Sequence, residues 1–223
     1  MKSYQQYCSV ARALDVVGDR WVLLIVRELL AFGPSRYSDL KRGLPGIASN
    51  LLAERLKSME ADGLIERHEA PAPIGTGVYQ LTARGRELED VVRALSRWGL
   101  PAMTSGPSKG DAVQPQWTAL FAGLNLPGKL QPGTEVVIGI ETGSESVRAI
   151  LRGGDFQIDR ALGDGADVTL RGEALLISGV LSGILAVTEA TNLGLTITGR
   201  TDLLADLVND TRSQTAPTDS SRA

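Results

Sequence analysis

Residues 35–63 read SRYSDLKRGLPGIASNLLAERLKSMEADG: a short helical segment, a turn rich in glycine and proline, and a longer helix that stops on glycine. Ser35 or Tyr37 opens the first helix, which runs through Leu40 to Arg42, and Gly43, Pro45 and Gly46 supply the turn. The second helix spans Ser49 to Asp62, with Gly63 in the position of a helix C′ residue. Leu52, Leu56 and Met59 recur at the angular spacing of one helical face, so that face belongs to a core. The opposite face carries Asn50, Ala53, Glu54, Lys57 and Ala61. Taken alone, it reads as well as a solvated face of mixed charge as it does as a reading surface.

The flanking sequence sets that helix in a larger order of elements. Upstream, Cys8 to Val16 reads as a short helix ended by Gly18, and Asp19 is expected to cap an apolar helix, Arg20 to Phe32, built on Trp21, Leu24, Ile25, Leu29 and Phe32. Downstream, Leu64, Ile65 and Arg67 form an extended run. A loop containing Pro71, Pro73, Gly75 and Gly77 follows, and Val78, Tyr79 and Leu81 return as a second strand. Helix, helix, turn, helix and a two-stranded hairpin is the order of a winged helix-turn-helix. Thr82 then caps a long amphipathic helix, Arg84 to about Leu100, with Leu88, Val91, Val92, Leu95 and Trp98 on one stripe. That stripe needs a partner, and a second copy of the chain is the expected one.

The chain has 223 residues and a formal net charge of −3, which fits two domains and at first argues against nucleic acid. The average hides an asymmetry: residues 1–105 hold 14 Lys and Arg against 12 Asp and Glu, and the remainder 9 against 14. Between Arg36 and Lys57, the cations Arg36, Lys41, Arg42, Arg55 and Lys57 face only Asp39 and Glu54, a local basic patch of the kind phosphate binding needs. Set in a major groove, Asn50 is placed for a bidentate contact to adenine, Glu54 to accept from cytosine N4, and Lys57 to reach guanine or phosphate. Arg55 lies on the flank, where a phosphate or a structural ion pair is the expected partner. Arg36, Ser38, Lys41, Ser49, Ala53 and Arg67 complete the expected DNA-binding set.

Beyond the Gly-, Pro- and Ser-rich stretch from Pro101 to Pro115 the pattern changes. A helix from Trp117 to Leu124 is followed by strands centred on Val136 to Ile140, Val147 to Leu151, Phe156 to Ile158, Asp167 to Arg171 and Leu195 to Thr198. Helices are expected at Glu173 to about Thr191 and at Asp202 to Val208. The expected architecture is therefore a mainly α winged helix-turn-helix domain (1–104), a linker (105–115), an α+β domain with a mostly antiparallel sheet (116–210) and a disordered polar tail (211–223). The second half has no His and no Cys, so neither a Ser-His-Asp set nor a metal cluster can be assembled there. Its glycines match no dinucleotide or P-loop fingerprint. No catalytic residue, metal or cofactor is expected. Without a signal-like N-terminus or a long apolar run, the reading is a cytoplasmic protein with no membrane segment.

Cys8 with Leu14, then Gly18-Asp19-Arg20-Trp21, Arg36-Tyr37-Ser38-Asp39-Leu40, Pro45-Gly46-Ile47, Leu52-Ala53-Glu54-Arg55-Leu56, Asp62-Gly63-Leu64-Ile65-Glu66-Arg67, Tyr79-Gln80-Leu81-Thr82 and Gly85 resemble the HxlR-type winged-helix regulators over about the first hundred residues. The resemblance implies a bacterial homodimer that binds double-stranded DNA, with Ser49 to Ala61 as recognition helix and Glu66 to Leu81 as wing. Two positions depart from the family pattern. The wing tip Ile74-Gly75-Thr76-Gly77 lacks the usual arginine, leaving Arg67 and His68 as substitutes, and Ser9 stands where a proline is usual. Cys8 has two readings, a redox sensor of the kind some such regulators carry or a small buried hydrophobe. In the second half, Ala166 to Gly172, Leu181-Ser182-Gly183 and Leu195 to Gly199 resemble the sterol-carrier-protein-like fold. That likeness implies an apolar cavity for a small effector, with Phe156, Leu176, Val180 and Ile184 as candidate lining residues or simply core. The alternatives are a redox-sensing regulator with a structural second half, and a lipid carrier that binds no DNA.

Overall fold

The computed structural model describes residues 3–69, 77–143, 145–160 and 165–215, with side chains as far as residue 208. The chain divides into two compact units, Met1–Trp98 and Gly99–Ala223. The division precedes the Pro101 to Pro115 stretch expected to join them.

The first unit runs α1 (Ser9–Val17), α2 (Val22–Phe32), β1 (Ser35–Arg36), α3 (Tyr37–Gly43), α4 (Ser49–Ala61), β2 (Ile65–Glu69), β3 (Gly77–Leu81), α5 (Ala83–Arg86) and α6 (Leu88–Gly99). Its three-stranded sheet has the order β1-β3-β2. α2 is the central helix because it is apolar almost throughout: Val22, Ile25, Val26, Leu29 and Leu30 are all buried, as are Leu40, Leu44, Ile47, Leu52, Leu56 and Met59 from the helix-turn-helix. The expected helix cap at Asp19 is not found. Trp21 occupies the N-cap of α2 without a side-chain hydrogen bond, and the Asp19 carboxylate instead pairs with Arg55 at 2.8 Å. An ion pair to a guanidinium outcompetes one backbone N–H. Strand β1 was not expected from sequence. Its two residues acquire strand geometry only by pairing with Tyr79 and Val78 of β3, a long-range effect with no local signal.

Thr82 does cap the helix after the wing, its Oγ1 accepting from the Gly85 N–H. The expected single helix is nevertheless two, broken at Glu87. The first turn is held by Gly85, which lies so close to the Leu64 carbonyl that a Cβ there would sit 1.9 Å from the oxygen.

The second unit opens with α7 (Pro115–Asn125) and continues β4 (Glu135–Thr142), β5 (Glu145–Arg152), β6 (Asp155–Asp159), β7 (Val168–Arg171), α8 (Ala174–Leu181), α9 (Val187–Asn192), β8 (Thr196–Gly199) and α10 (Thr201–Thr215). The sheet order is β6-β5-β4-β7-β8. It is mostly antiparallel, as expected: β4 and β7 pair in parallel and the other pairs are antiparallel. Alternation puts Val136, Ile138, Ile140, Val147, Ala149, Leu151, Ile158, Val168 and Leu170 on one face, all buried. The other face is laced by Arg152–Glu135, Arg148–Asp159 and Arg171–Glu141 ion pairs. One apolar and one charged face is the signature of a sheet covered by helices on a single side.

The helix expected from Glu173 to Thr191 is interrupted. Ser182 caps α8, Gly183 turns through φ +75°, and the Leu185 N–H returns to the Gly179 carbonyl. Glycine adopts that backbone without the Cβ clash other residues would meet. The last helix extends past the expected Val208 end to Thr215, so residues 211–215 of the expected disordered tail are helical. Residues 216–223 lie outside the described residues.

Candidate nucleic-acid interface

The helix-turn-helix is locked by interactions that its sequence spacing does not advertise. Leu44 and Ile47 are fully buried in the turn, and Gly46 takes φ +86°. The Tyr37 hydroxyl donates to the Ser49 carbonyl at 2.7 Å. Lys41 Nζ donates to the Ile47 carbonyl. The first ties the start of α4 to α3, and the second ties down the turn between them. Beneath them, Arg27 and Glu28 form a largely buried ion pair at 2.8 Å, and Arg27 reaches the Gly43 carbonyl at 3.3 Å. Gly43 leaves room there, since a Cβ would fall 2.2 Å from the Glu28 carboxylate and oblige that side chain to shift. Burial pushes the Arg27 guanidinium below its ordinary value, opposed by the Glu28 charge.

α4 buries Leu52, Leu56 and Met59 and exposes Ser49, Asn50, Ala53, Glu54 and Lys57, as its spacing predicts. Arg36 and Ser38 are also exposed, on β1 and α3. Lys41 and Arg55 differ from these. Lys41 is half-buried and engaged with the turn, and Arg55 is held by Asp19 at 2.8 Å and by Glu54 at 3.3 Å. Tyr37 and Asp19 are positioning residues that sequence reading missed, because each acts on an element remote in the chain.

In the wing, Arg67 pairs with Tyr79 across β2 and β3, and its guanidinium carbon lies 5.9 Å from the Tyr79 ring centre. Gly77 makes room for it: a Cβ there would meet Arg67 Nε at 2.5 Å. His68 belongs to the other face, where it lies 3.2 Å from Glu66 and 2.9 Å from Gln80. The Gln80 amide donates to Glu66 at 2.8 Å. These hydrogen bonds, Gln80 first and His68 second, lower the Glu66 carboxyl below its ordinary range. The two substitutes for a wing charge thus point to opposite faces, since strand side chains alternate. The tip residues Ile74, Gly75 and Thr76 lie outside the described residues.

Cys8 is exposed in the single chain rather than buried in its core. It occupies the N-cap of α1, and the backbone N–H groups of Ala11 and Val10 lower its thiol below the usual value. The residues expected to line a cavity in the second unit do not share one environment. Phe156 lies on β6 against Gly123 of α7, where a Cβ would come within 2.4 Å of the ring. Val180 is fully enclosed, Leu176 is half-buried, and Ile184 is exposed in the turn after α8.

A buried three-helix core, a locked turn, an outward polar helix and a two-stranded wing define a winged helix-turn-helix DNA-binding transcriptional regulator. The chain belongs to the HxlR-like helix-turn-helix family, which it matches over residues 16–106. It is 36% identical over 87 residues to the HTH-type transcriptional regulator YvaP of Bacillus subtilis, covering 39% of this chain and 80% of that one. The HTH-type transcriptional regulator Rv3095 of Mycobacterium tuberculosis is 39% identical over 130 residues, 54% of this chain and 81% of that one. Among solved structures, the reduced form of the regulator YodB from B. subtilis matches at 30% identity with a TM-score of 0.39, over 46% of this chain and 100% of that one. Among the described residues no helix is long and apolar enough to cross a membrane.

Proposed function

We propose that the protein is a cytoplasmic, bacterial, homodimeric regulator that reads its operator with α4 in the major groove, and that its second unit senses a small apolar effector. The observation that carries the reading is the exposed row Asn50, Ala53, Glu54 and Lys57 on a helix whose other face is buried in the core. Asn50 and Glu54 are the base-reading residues. Lys57 and Arg36 serve phosphates, with Ser38, Ser49 and Arg67 at the margins, while Lys41 and Arg55 hold the motif together. Residues 1–104 form the DNA-binding and dimerisation part and 116–210 a sterol-carrier-protein-like sensor. The layout of a helix-covered sheet with one apolar face supports the second assignment.

Lys57→Ala is expected to weaken binding to every duplex and to flatten its salt dependence by about 0.9 for each phosphate it ceases to neutralise. Asn50→Ala should relax preference at one base position, a discrimination of about 1–3 kcal/mol. Footprinting and salt titration on an operator selected from random DNA check both, and parental behaviour in both variants removes α4 as the reader. The same titration repeated with a medium-chain fatty acid tests the sensor, since a ligand alters DNA affinity only if it binds the competent and incompetent states unequally. Unchanged isotherms despite measured fatty-acid binding would leave the second unit with an assembly role.

A second reading is favoured by the exposure and lowered pKa of Cys8: the thiol responds to oxidants or electrophiles, and an intersubunit disulfide is open to a dimer. Alkylation of the full chain by iodoacetamide across pH, followed by mass spectrometry, should show Cys8 reacting at lower pH than an unstructured cysteine peptide. A profile matching the peptide's would count against sensing.

A further inference from the structure

Arg55 is the one cation of the recognition helix that the fold has taken out of circulation. Its Nη2 lies 2.8 Å from Asp19 Oδ2 and its Nη1 3.3 Å from Glu54 Oε1. Nε is buried, with no hydrogen-bond partner among the described residues. The Arg55 side chain is 20% exposed and that of Asp19 41%. Asp19 stands in the turn between α1 and α2, where the Gly18 N–H closes α1 on Leu14 and the Val22 N–H returns to the Asp19 carbonyl. The carboxylate is therefore fixed by two helix ends and reaches across to α4.

A guanidinium on a DNA-facing helix seeks phosphates, whose oxygens it matches with two hydrogen bonds. Phosphate contacts strengthen binding to all sequences alike and so set affinity and salt slope, whereas the ratio of operator to random-duplex affinity is set by the groups that read bases. We propose that Asp19 is a specificity-determining positioning residue: through Arg55 it steadies the base-reading carboxylate of Glu54, and by holding Arg55 it keeps from each reading helix a phosphate-seeking charge that would raise affinity for every sequence. This rests on α4 being the reading helix.

The test uses the full chain and measures affinity for random duplex and for a selected operator across a salt series. Asp19→Ala and Asp19→Asn release Arg55. Binding to random duplex should tighten, and the plot of log affinity against log salt should steepen by about 0.9 per protomer, or about 1.8 for a dimer. With Glu54 no longer steadied through Arg55, the operator-to-random ratio should fall by about tenfold, comparable to one mismatched base pair. Glu60→Gln, which makes the same charge change at an exposed position of α4, should not steepen the slope by that amount. The double variant Asp19→Ala/Arg55→Ala should return to the parental slope.

A flatter slope for Arg55→Ala than for the parent would overturn the proposal, because Arg55 would already be on a phosphate. So would parental slope and ratio in folded Asp19→Ala and Asp19→Asn. If Asp19→Ala melts early, Asp19→Asn and the Arg55→Ala slope decide. Failure of the underlying reading is separate and visible: Lys57→Ala would then match the parent in both slope and footprint.

Discussion

Leu95→Glu is expected to convert the proposed dimer to a monomer and to remove specific operator binding. The outward side of α6 carries Val91 at 41%, Leu95 at 45% and Trp98 at 83% exposure, and α1 adds Val10 at 64% and Leu14 at 43%. Their spacing, four and three residues on α6 and four on α1, aligns each set on one helical face. Val92 turns the other way and is buried, so the stripe divides between a core edge and an unpartnered face. Fully burying side chains of this kind contributes about 1.5–3 kcal/mol each, against an association cost of about 4–15 kcal/mol. These side chains are already about half buried, so five per protomer, counted twice across a two-fold axis, contribute about 8–17 kcal/mol, enough to offset a cost in that range.

In a symmetric interface one substitution appears twice, and a glutamate in an apolar seam has no cation waiting for it. A loss of about 3 kcal/mol or more raises the dimer dissociation constant at least about a hundredfold. The monomer keeps one recognition helix, so operator affinity should fall toward the non-specific range of about 10⁻⁴–10⁻⁶ M. Sedimentation at micromolar concentration and gel shift on the selected operator read the two effects. A variant that sediments as the parental dimer would assign this face to something other than a second copy.

The recognition motif was legible because its signals are local. Gly46 and Gly63 mark backbone that turns left-handed, at φ +86° and +69°, and Leu52, Leu56 and Met59 mark the buried face of a helix whose period is fixed by its own geometry. What was hidden depends on pairs distant in the chain. Asp19 followed by an apolar run looks like an N-cap, and only the fold reveals that Arg55 claims it. Ser35 and Arg36 have no strand signal of their own and become β1 by lying beside Val78 and Tyr79.

The same limit applies in the second unit. Strand positions follow from alternation, but nothing local distinguishes the parallel β4–β7 pairing from a meander. An apolar helix interrupted by Ser182-Gly183 reads as continuous until Gly183 is seen to turn. Phe156, Leu176, Val180 and Ile184 share only their apolar character. Apolar residues serve a core and a cavity equally well, and Val180 and Ile184 prove to occupy opposite extremes of exposure.

Gly85→Ala should be among the most damaging single substitutions in the first unit, although it adds only a methyl group. The Cβ would stand 1.9 Å from the Leu64 carbonyl oxygen and 3.2 Å from Leu81. The carbonyl cannot simply retreat, because it already accepts from the Thr82 N–H at 3.1 Å, and the Thr82 hydroxyl donates to the adjacent Gly63 carbonyl at 2.6 Å. Those bonds tie the end of β3 to the corner between α4 and β2, and the Thr82 hydroxyl also caps α5 through the Gly85 N–H at 3.0 Å. Relief therefore requires moving recognition helix, wing and cap together. Overpacking commonly costs about 1–3 kcal/mol, and a backbone clash this close, with no flexible side chain to yield, belongs at about 3 kcal/mol. For a domain of about this size each kcal/mol lowers Tm by about 4–8 °C, so the first unit should melt about 12–24 °C earlier. Calorimetry of the full chain should show the loss in the transition of the first unit, with the second little changed if the two unfold separately. A variant that melts with the parent and footprints normally would show that the α4–β2 corner yields far more easily than its hydrogen bonds imply.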